Sequence, residues 1–379
     1  MSVSSNLRKK VLHVVGGMNV GGTETMLMNL YREVHKDIQF DFISYYNKKA
    51  YYDEEIEALG GKVIRLNAPN KVGAIKAIKD LIRVIKEEGE YEAIHAHTLF
   101  NCGIAMIAAW MAGVKVRVSH AHTTLDKKDN FIKKVYTNSM IKVIRIFSTN
   151  FLACSHNAGK YLFGESIGKN KKYKRLPNYI NYKKIINCND NNNLRKELGL
   201  KRDDILIGHI GRFMDAKNHK FIIEIMSYLV KKNKKIKCVL VGHGHLKKEI
   251  ETQVKCYELE ENILFLGIRN DIPEILNNLD LFLFPSIYEG LGLVLLEAQA
   301  ARIPCVVSEA IQPEADLGLG LFKMLTLKDG VEKWSETILN SLNCNEKITK
   351  EQITKRFEIA GYNIKTITKE LMNIYKVSY

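Results

Sequence analysis

FPSIYEGLGLVLLEAQAARIP, residues 284–304, joins the end of an apolar strand to a glycine-broken turn and the start of an apolar helix. Its two carboxylates, Glu289 and Glu297, stand eight positions apart. At about 3.6 residues per turn, a helix opening near Gly292 leaves Glu289 in the loop ahead of it and Glu297 inside it. Gly290 and Gly292 let backbone N–H groups approach a ligand, and the free amides and positive dipole end of a helix attract phosphate. Such a turn has room for a sugar, a ribose and a diphosphate together. Taken alone, the segment also reads as a buried helix with one solvated Glu at each end.

Working outward, the same strand, turn and helix rhythm fills the second half of the chain. ILIGHIGR, KCVLVGHG, ILFLG, LFLFPS and CVVSE are strands, with HKFIIEIMSYLVKK, LKKEIETQVKCYEL, IPEILNNL and LVLLEAQAAR as the helices between them. The first half shows the alternation too: strands VLHVVGG, FDFISYY, KVIRLNA, YEAIHAH, VRVSHAHTT and NFLACSH, and helices such as TETMLMNLYREV and the amphipathic AIKAIKDLIRVIKEEG. Repeated strand and helix of these lengths predict doubly wound parallel sheets, an α/β class protein of two Rossmann-like domains facing a central cleft. A polar Lys- and Asn-rich stretch over residues 169–200 reads as the crossover. The expected boundaries are 1–180 and 181–359, with a final helix over about 360–379 returning to the first domain.

The chain has 379 residues, 46% hydrophobic and 26% charged, the composition of a globular protein of two domains. No uninterrupted apolar run reaches the ~18 residues that span a bilayer. The N-terminus runs directly into the VLHVV strand, without a signal-peptide core, so a cytoplasmic protein is expected. Seven cysteines, Cys102, Cys154, Cys188, Cys238, Cys256, Cys305 and Cys344, make no C-x-x-C or Cys/His ligand spacing, and free thiols are expected. A net charge of +15 admits nucleic acid, an anionic membrane or small anionic substrates. One cluster, Lys127, Lys128, Lys133, Lys134, Lys142 and Arg145, is interleaved with apolar residues from Phe131 to Phe147. It reads as a basic amphipathic helix able to lie on an anionic leaflet, or as a core helix with one solvated face.

GHIGRFMDAKNH (208–219) sets Arg212 and Lys217 where the first strand of the second half ends, the edge at which ligands collect in open α/β sheets. Arg forks onto phosphate oxygens and Lys adds a mobile point charge, so the pair suits a diphosphate. In the first half, Gly16, Gly17, Gly21 and Gly22 form a glycine-rich loop without the G-x-G-x-x-G of dinucleotide binders. Gly21 and Gly22 are the better ligand candidates because they open a helix. Four histidines, His95, His97, His120 and His122, fall at strand ends with no carboxylate at ligand spacing. One of them aimed at a substrate could act on a hydroxyl, and all four could equally be packing residues. No D-x-D is present to hold a metal-bound sugar nucleotide. Cationic side chains are expected to replace the ion, with no metal and no other cofactor.

GGMNVGGTE (16–24), the GR followed by Lys217, VGHGHLKKEIE (241–251), FLGIRNDI (265–272) and PSIYEGLGLVLLEAQAARIPCVVSE (285–309) together resemble the retaining nucleotide-sugar glycosyltransferases of GT-B fold, family 4. The likeness covers nearly the whole chain and looks nearest to members that build bacterial exopolysaccharide or capsule. It implies transfer of a sugar, with retention, from a nucleoside diphosphate sugar, expected to be a UDP-sugar, to a saccharide or lipid-linked saccharide. Arg212 and Lys217 would hold the diphosphate, Glu289 the donor-sugar hydroxyls and Glu297 the ribose. The backbone of Gly290, Leu291 and Gly292 would face the phosphates. The base would sit near Gly267, Ile268 and Arg269, through backbone groups, with Gly242 and Gly244 permitting close approach of their loop. Gly21 and Gly22 would flank the donor. His122 is the favoured catalytic-site histidine, with His97 and His120 as acceptor-side candidates. The resemblance implies no nucleic-acid partner, and the basic segment adds peripheral contact with the inner face of the cell membrane. Arg302 stands where the family commonly has a C-capping Gly. The other readings are a nucleotide-sugar epimerase of the same fold, an NAD-dependent oxidoreductase and a non-catalytic basic binding module.

Overall fold

Val11, Leu12, Val14 and Val15 are fully buried in a strand with no polar side, as expected where helices cover both faces of a parallel sheet. In the computed structural model, which describes residues 8–123, 131–188, 193–343 and 348–377, this strand is β1 (Lys9–Val15). The chain divides into two compact units, residues 1–179 with 361–379, and residues 180–360.

Unit 1 adds β2 (Ile38–Ser44), β3 (Val63–Arg65), β4 (Ala93–Ala96), β5 (Val116–Ala121), β6 (Asn150–Ala153) and β7 (Tyr173–Arg175). They pair in parallel in the order β3-β2-β1-β4-β5-β6-β7. The reversal of direction at β1/β4 is the Rossmann switch point. Val11 pairs with Ala93 and His13 with His95. The helix Ile364–Tyr375 belongs to this unit: the Tyr375 ring meets Phe40 edge-on and its hydroxyl lies 2.7 Å from His95 Nδ1.

Unit 2 holds β8 (Ile205–Ile210), β9 (Ile236–Val241), β10 (Ile263–Gly267), β11 (Leu281–Phe284), β12 (Cys305–Ser308) and β13 (Phe322–Leu325), parallel in the order β10-β9-β8-β11-β12-β13. The same order arises twice, so two Rossmann-like domains are the architecture. Its core includes Ile207, Phe213, Met226, Leu240, Leu283 and Trp334.

The stretch over 169–200 holds more than a crossover: β7 closes one edge of the first sheet, and the helix Tyr182–Ile186 follows. Lys127 and Lys128 of the basic cluster, and Cys344, lie outside the described residues, as do the side chains of Lys133 and Lys134. The helix Phe131–Phe147 packs Met140, Val143 and Ile144 on Gly103, while Val135, Tyr136, Lys142, Arg145 and Ile146 are exposed. Among the described residues no helix is long and apolar enough to cross a membrane. Arg302 takes the left-handed conformation, φ +65°, that a C-capping Gly would supply without strain.

Candidate functional site

β8 ends at Ile210, and Gly211-Arg212-Phe213 turns back over its C-terminal edge. The turn is held by backbone bonds from Gly211 N to Val241 O (2.9 Å) and from Phe213 N to His243 O (3.1 Å). Gly242 has φ +138°, and a Cβ there would lie 2.1 Å from Gly211 O. One on Gly244 would lie 2.3 Å from Phe213 O. These two glycines therefore admit the Arg212 loop, whose backbone fills the space a side chain would need. Arg212 is exposed and forms no ion pair among the described residues.

Lys217 is fixed. Its Nζ lies 2.5 Å from Glu289 Oε1 and 4.4 Å from the centre of the Phe284 ring. The two side chains keep only 16% and 13% of their exposure. Ser286 Oγ donates to the same Glu289 oxygen at 3.1 Å, and Gln312 Nε2 donates to Glu289 O at 3.4 Å. Ile287 N bonds Ala216 O at 2.8 Å, tying the two loops together through the backbone. Phe284 at the end of β11 and the loop after β8 thus hold one carboxylate and one ammonium as a unit, with Arg212 left over as a cation.

The helix opens as the spacing predicts, at Leu293, with Gly292 as its N-cap at φ +78° and no side chain capping it. Gly290 and Leu291 are buried just ahead of it. Glu297, in the second turn, is half-buried, and desolvation pushes its carboxyl up to about 7. Its side chain forms no ion pair among the described residues. Gly267 ends β10 with φ +67°, and Ile268 beyond it is 54% exposed. The Arg269 guanidinium is bound to both Glu197 and Asp271, at 2.6–3.0 Å, so this corner offers a ligand its backbone and an apolar surface rather than a free charge.

In unit 1, Gly21 caps the helix Gly22–Val34 with no side-chain acceptor. The histidines form one cluster with a fifth member, His13 of β1. His13 Nδ1 lies 3.1 Å from His97 Nε2, and His97 Nδ1 lies 2.8 Å from His122 Nε2. His120 stacks on His95 with ring centres 5.2 Å apart. Burial holds His13 and His122 down to about 3 and places His95, His97 and His120 well below the usual histidine range. All five are neutral at pH 7. The structure thus joins Arg212, Lys217, Glu289 and the Gly290–Gly292 turn at one sheet edge of unit 2, and His97, His120 and His122 at the strand ends of unit 1. His13, Ser286 and Gln312 escaped the sequence reading. The first was hidden in an apolar strand, and the other two are ordinary polar residues whose partners lie far along or just across a turn.

The model for "Glycosyl transferases group 1" matches residues 190–354, and that for "Glycosyltransferase Family 4" matches residues 20–184. The chain is 36% identical over 374 residues to the putative glycosyltransferase EpsF of Bacillus subtilis, covering 98% of this chain and 97% of that protein. It is 30% identical over 267 residues to the UDP-Gal:alpha-D-GlcNAc-diphosphoundecaprenol alpha-1,3-galactosyltransferase of Escherichia coli, covering 68% and 67% of the two. Among solved structures, Anabaena Alr3699/HepE in complex with UDP and glucose superposes with a TM-score of 0.79 at 19% identity, over 97% of this chain and all of that one.

Proposed function

The chain belongs to the family 4 glycosyltransferases of GT-B fold, and from that premise we propose that it moves a sugar, with retention, from a UDP-sugar to a saccharide or lipid-linked saccharide in the assembly of extracellular polysaccharide or capsule. The observation that carries the donor half is the unit made by Lys217, Glu289 and the uncapped turn before Leu293, at the same sheet edge as the exposed Arg212. Departure of the nucleotide places about two further negative charges on the diphosphate, and preorganised donors aimed there lower the barrier. Arg212 and Lys217 supply the charge, and the amides after Gly292 supply the dipole. A metal ion is not required for that departure. Glu289, oriented by Ser286 and Lys217, accepts hydrogen bonds from the donor sugar, and Glu297 accepts them from the ribose. The base rests on the backbone of Gly267 to Arg269, with Ile268 against its face. In unit 1, Gly21 and Gly22 offer their amides to a ligand, and His97, His120 and His122 serve the acceptor, with His122 as the catalytic histidine.

The uridine donor is favoured by the relatives: one is named for UDP-Gal and a diphosphoundecaprenol acceptor, and the similar structure holds UDP. The exposed Val135, Tyr136 and Ile146 beside Lys142 and Arg145 suit a substrate carried in a membrane. Transfer with retention follows a front-face path in which the leaving diphosphate takes the acceptor proton. The test is proton NMR of the product formed from an α-linked UDP-sugar and a polyprenyl diphosphate sugar, with EDTA present. An α-linked product supports the proposal, whereas a β-linked product or isomerised donor overturns it.

A further inference from the structure

β1, β4 and β5 are neighbours in the first sheet, and their register brings histidines from three distant parts of the chain together. His13 pairs with His95, and the pairing of Ala96 with Ser119 leads on to His97 beside His120. Each neutral imidazole must carry one N–H. His120 is 1% exposed, yet neither of its ring nitrogens has a hydrogen-bond partner among the described residues. A buried donor left in that state costs about 1–3 kcal/mol. Its neighbours close in on the same space: one nitrogen from each of His97, His120 and His122 lies within 4.8 Å of the others.

We infer that His97, His120 and His122 form a binding site for a zinc-class transition-metal ion in unit 1. Three imidazoles without a carboxylate or carbonyl oxygen select Zn²⁺, Co²⁺, Ni²⁺ or Cu²⁺ over Mg²⁺ and Ca²⁺. Tetrahedral binding at about 2.0–2.1 Å separates ligand nitrogens by about 3.3 Å, so His97 Nδ1 and His122 Nε2, now 2.8 Å apart, need only part by about 0.5 Å. His97 already makes the kind of outer contact that metal-bound histidines use. With His97 Nδ1 on the ion, its Nε2–H donates to His13 Nδ1 at 3.1 Å. Asn178, 4% exposed, is a neighbour of His122, and its Oδ1 and the His122 Nδ1 both lack a hydrogen-bond partner among the described residues. His97 and His122 are only half-buried at the strand ends, which leaves a path for entry and a fourth coordination position for water or a substrate oxygen. The site goes beyond the donor chemistry of unit 2, where the diphosphate is met by Arg212 and Lys217, and its existence does not depend on that chemistry.

The protein is purified through a tag without histidine, reconstituted with Zn²⁺, dialysed and analysed by plasma mass spectrometry, with Co²⁺ titration followed by visible absorption. About one equivalent per chain and tetrahedral Co²⁺ bands are expected. His120→Phe should remove both, His13→Phe should weaken binding roughly 10–100-fold, and His156→Ala, on the surface, should change neither. Circular dichroism establishes that each variant is folded; should His120→Phe not fold, His122→Asn takes its place. No stoichiometric ion in the folded wild type, or equal metal in wild type and the His120 variant, would overturn the site.

Discussion

Lys217 Nζ stands 2.5 Å from Glu289 Oε1, and the pair is largely withdrawn from water between the loop after β8 and the loop after β11. Each partner fixes the other, so the two loops are held in one arrangement without any ligand. Removing Lys217 alone strands a partly buried carboxylate. Lys217→Met should lower stability by roughly 2 kcal/mol, below the range for fully buried pairs because some exposure remains. Adding Glu289→Gln should restore most of that loss in urea unfolding without restoring transfer. Full stability in the single variant would show that the pair is not coupled.

Glu297 titrates at about 7 in the folded protein against 4.5 as its ordinary value. Between these values the folded state holds the extra proton, so stability falls as pH rises from 4.5 to 7 and stays lower above. The effect is at most about 3 kcal/mol, with solvent screening reducing it. Glu297→Gln should therefore be more stable than the parent at pH 8, equal to it near pH 4, and weaker in donor binding. Thermal melts across that range check the sign.

Gly242→Ala meets backbone rather than a flexible side chain, with the new Cβ 2.1 Å from Gly211 O and φ at +138°. The loop carrying Arg212 must shift. The expected result is a loss of more than about 2 kcal/mol of stability, or a folded protein with donor affinity down at least roughly tenfold. Isothermal calorimetry with UDP separates the two from an unaltered variant, which would contradict the packing.

The helix Phe131–Phe147 exposes Ile146 at 71% and Val135 at 51%, next to Lys142 and Arg145. Ile146→Glu with Val135→Glu should reduce co-sedimentation with vesicles containing anionic lipid at least roughly fivefold, at unchanged melting temperature. Vesicle binding that survives both changes would remove the membrane contact from the account.

Much of this was legible in the sequence, for local reasons. AIKAIKDLIRVIKEEG repeats its apolar residues at helical spacing and forms the helix Ala74–Glu87, and Gly292 marks the helix start because only a left-handed residue makes that turn easily. The strands that escaped are short and largely polar or exposed: YKR of β7 and FKML of β13 are edge strands, which bury little and so leave no apolar run to read. The role of Gly242 depends on a backbone contact with Gly211, across a helix and a strand of intervening chain. His13 joins His97 only through strand register, which no spacing within VLHVV can reveal.

A nucleoside diphosphate sugar received by unit 2 should rest on the cation Arg212 and the Lys217–Glu289 unit. Calorimetry with a panel of UDP-, GDP- and ADP-sugars in EDTA, on the parent and on Arg212→Ala, tests it most directly. A UDP-sugar should bind the parent, and Arg212→Ala, with its melting temperature unchanged, should bind it roughly 10–100-fold more weakly, the loss of one or two charge-assisted hydrogen bonds. Equal affinity in parent and variant, or binding of no nucleotide sugar by the folded parent, would contradict it.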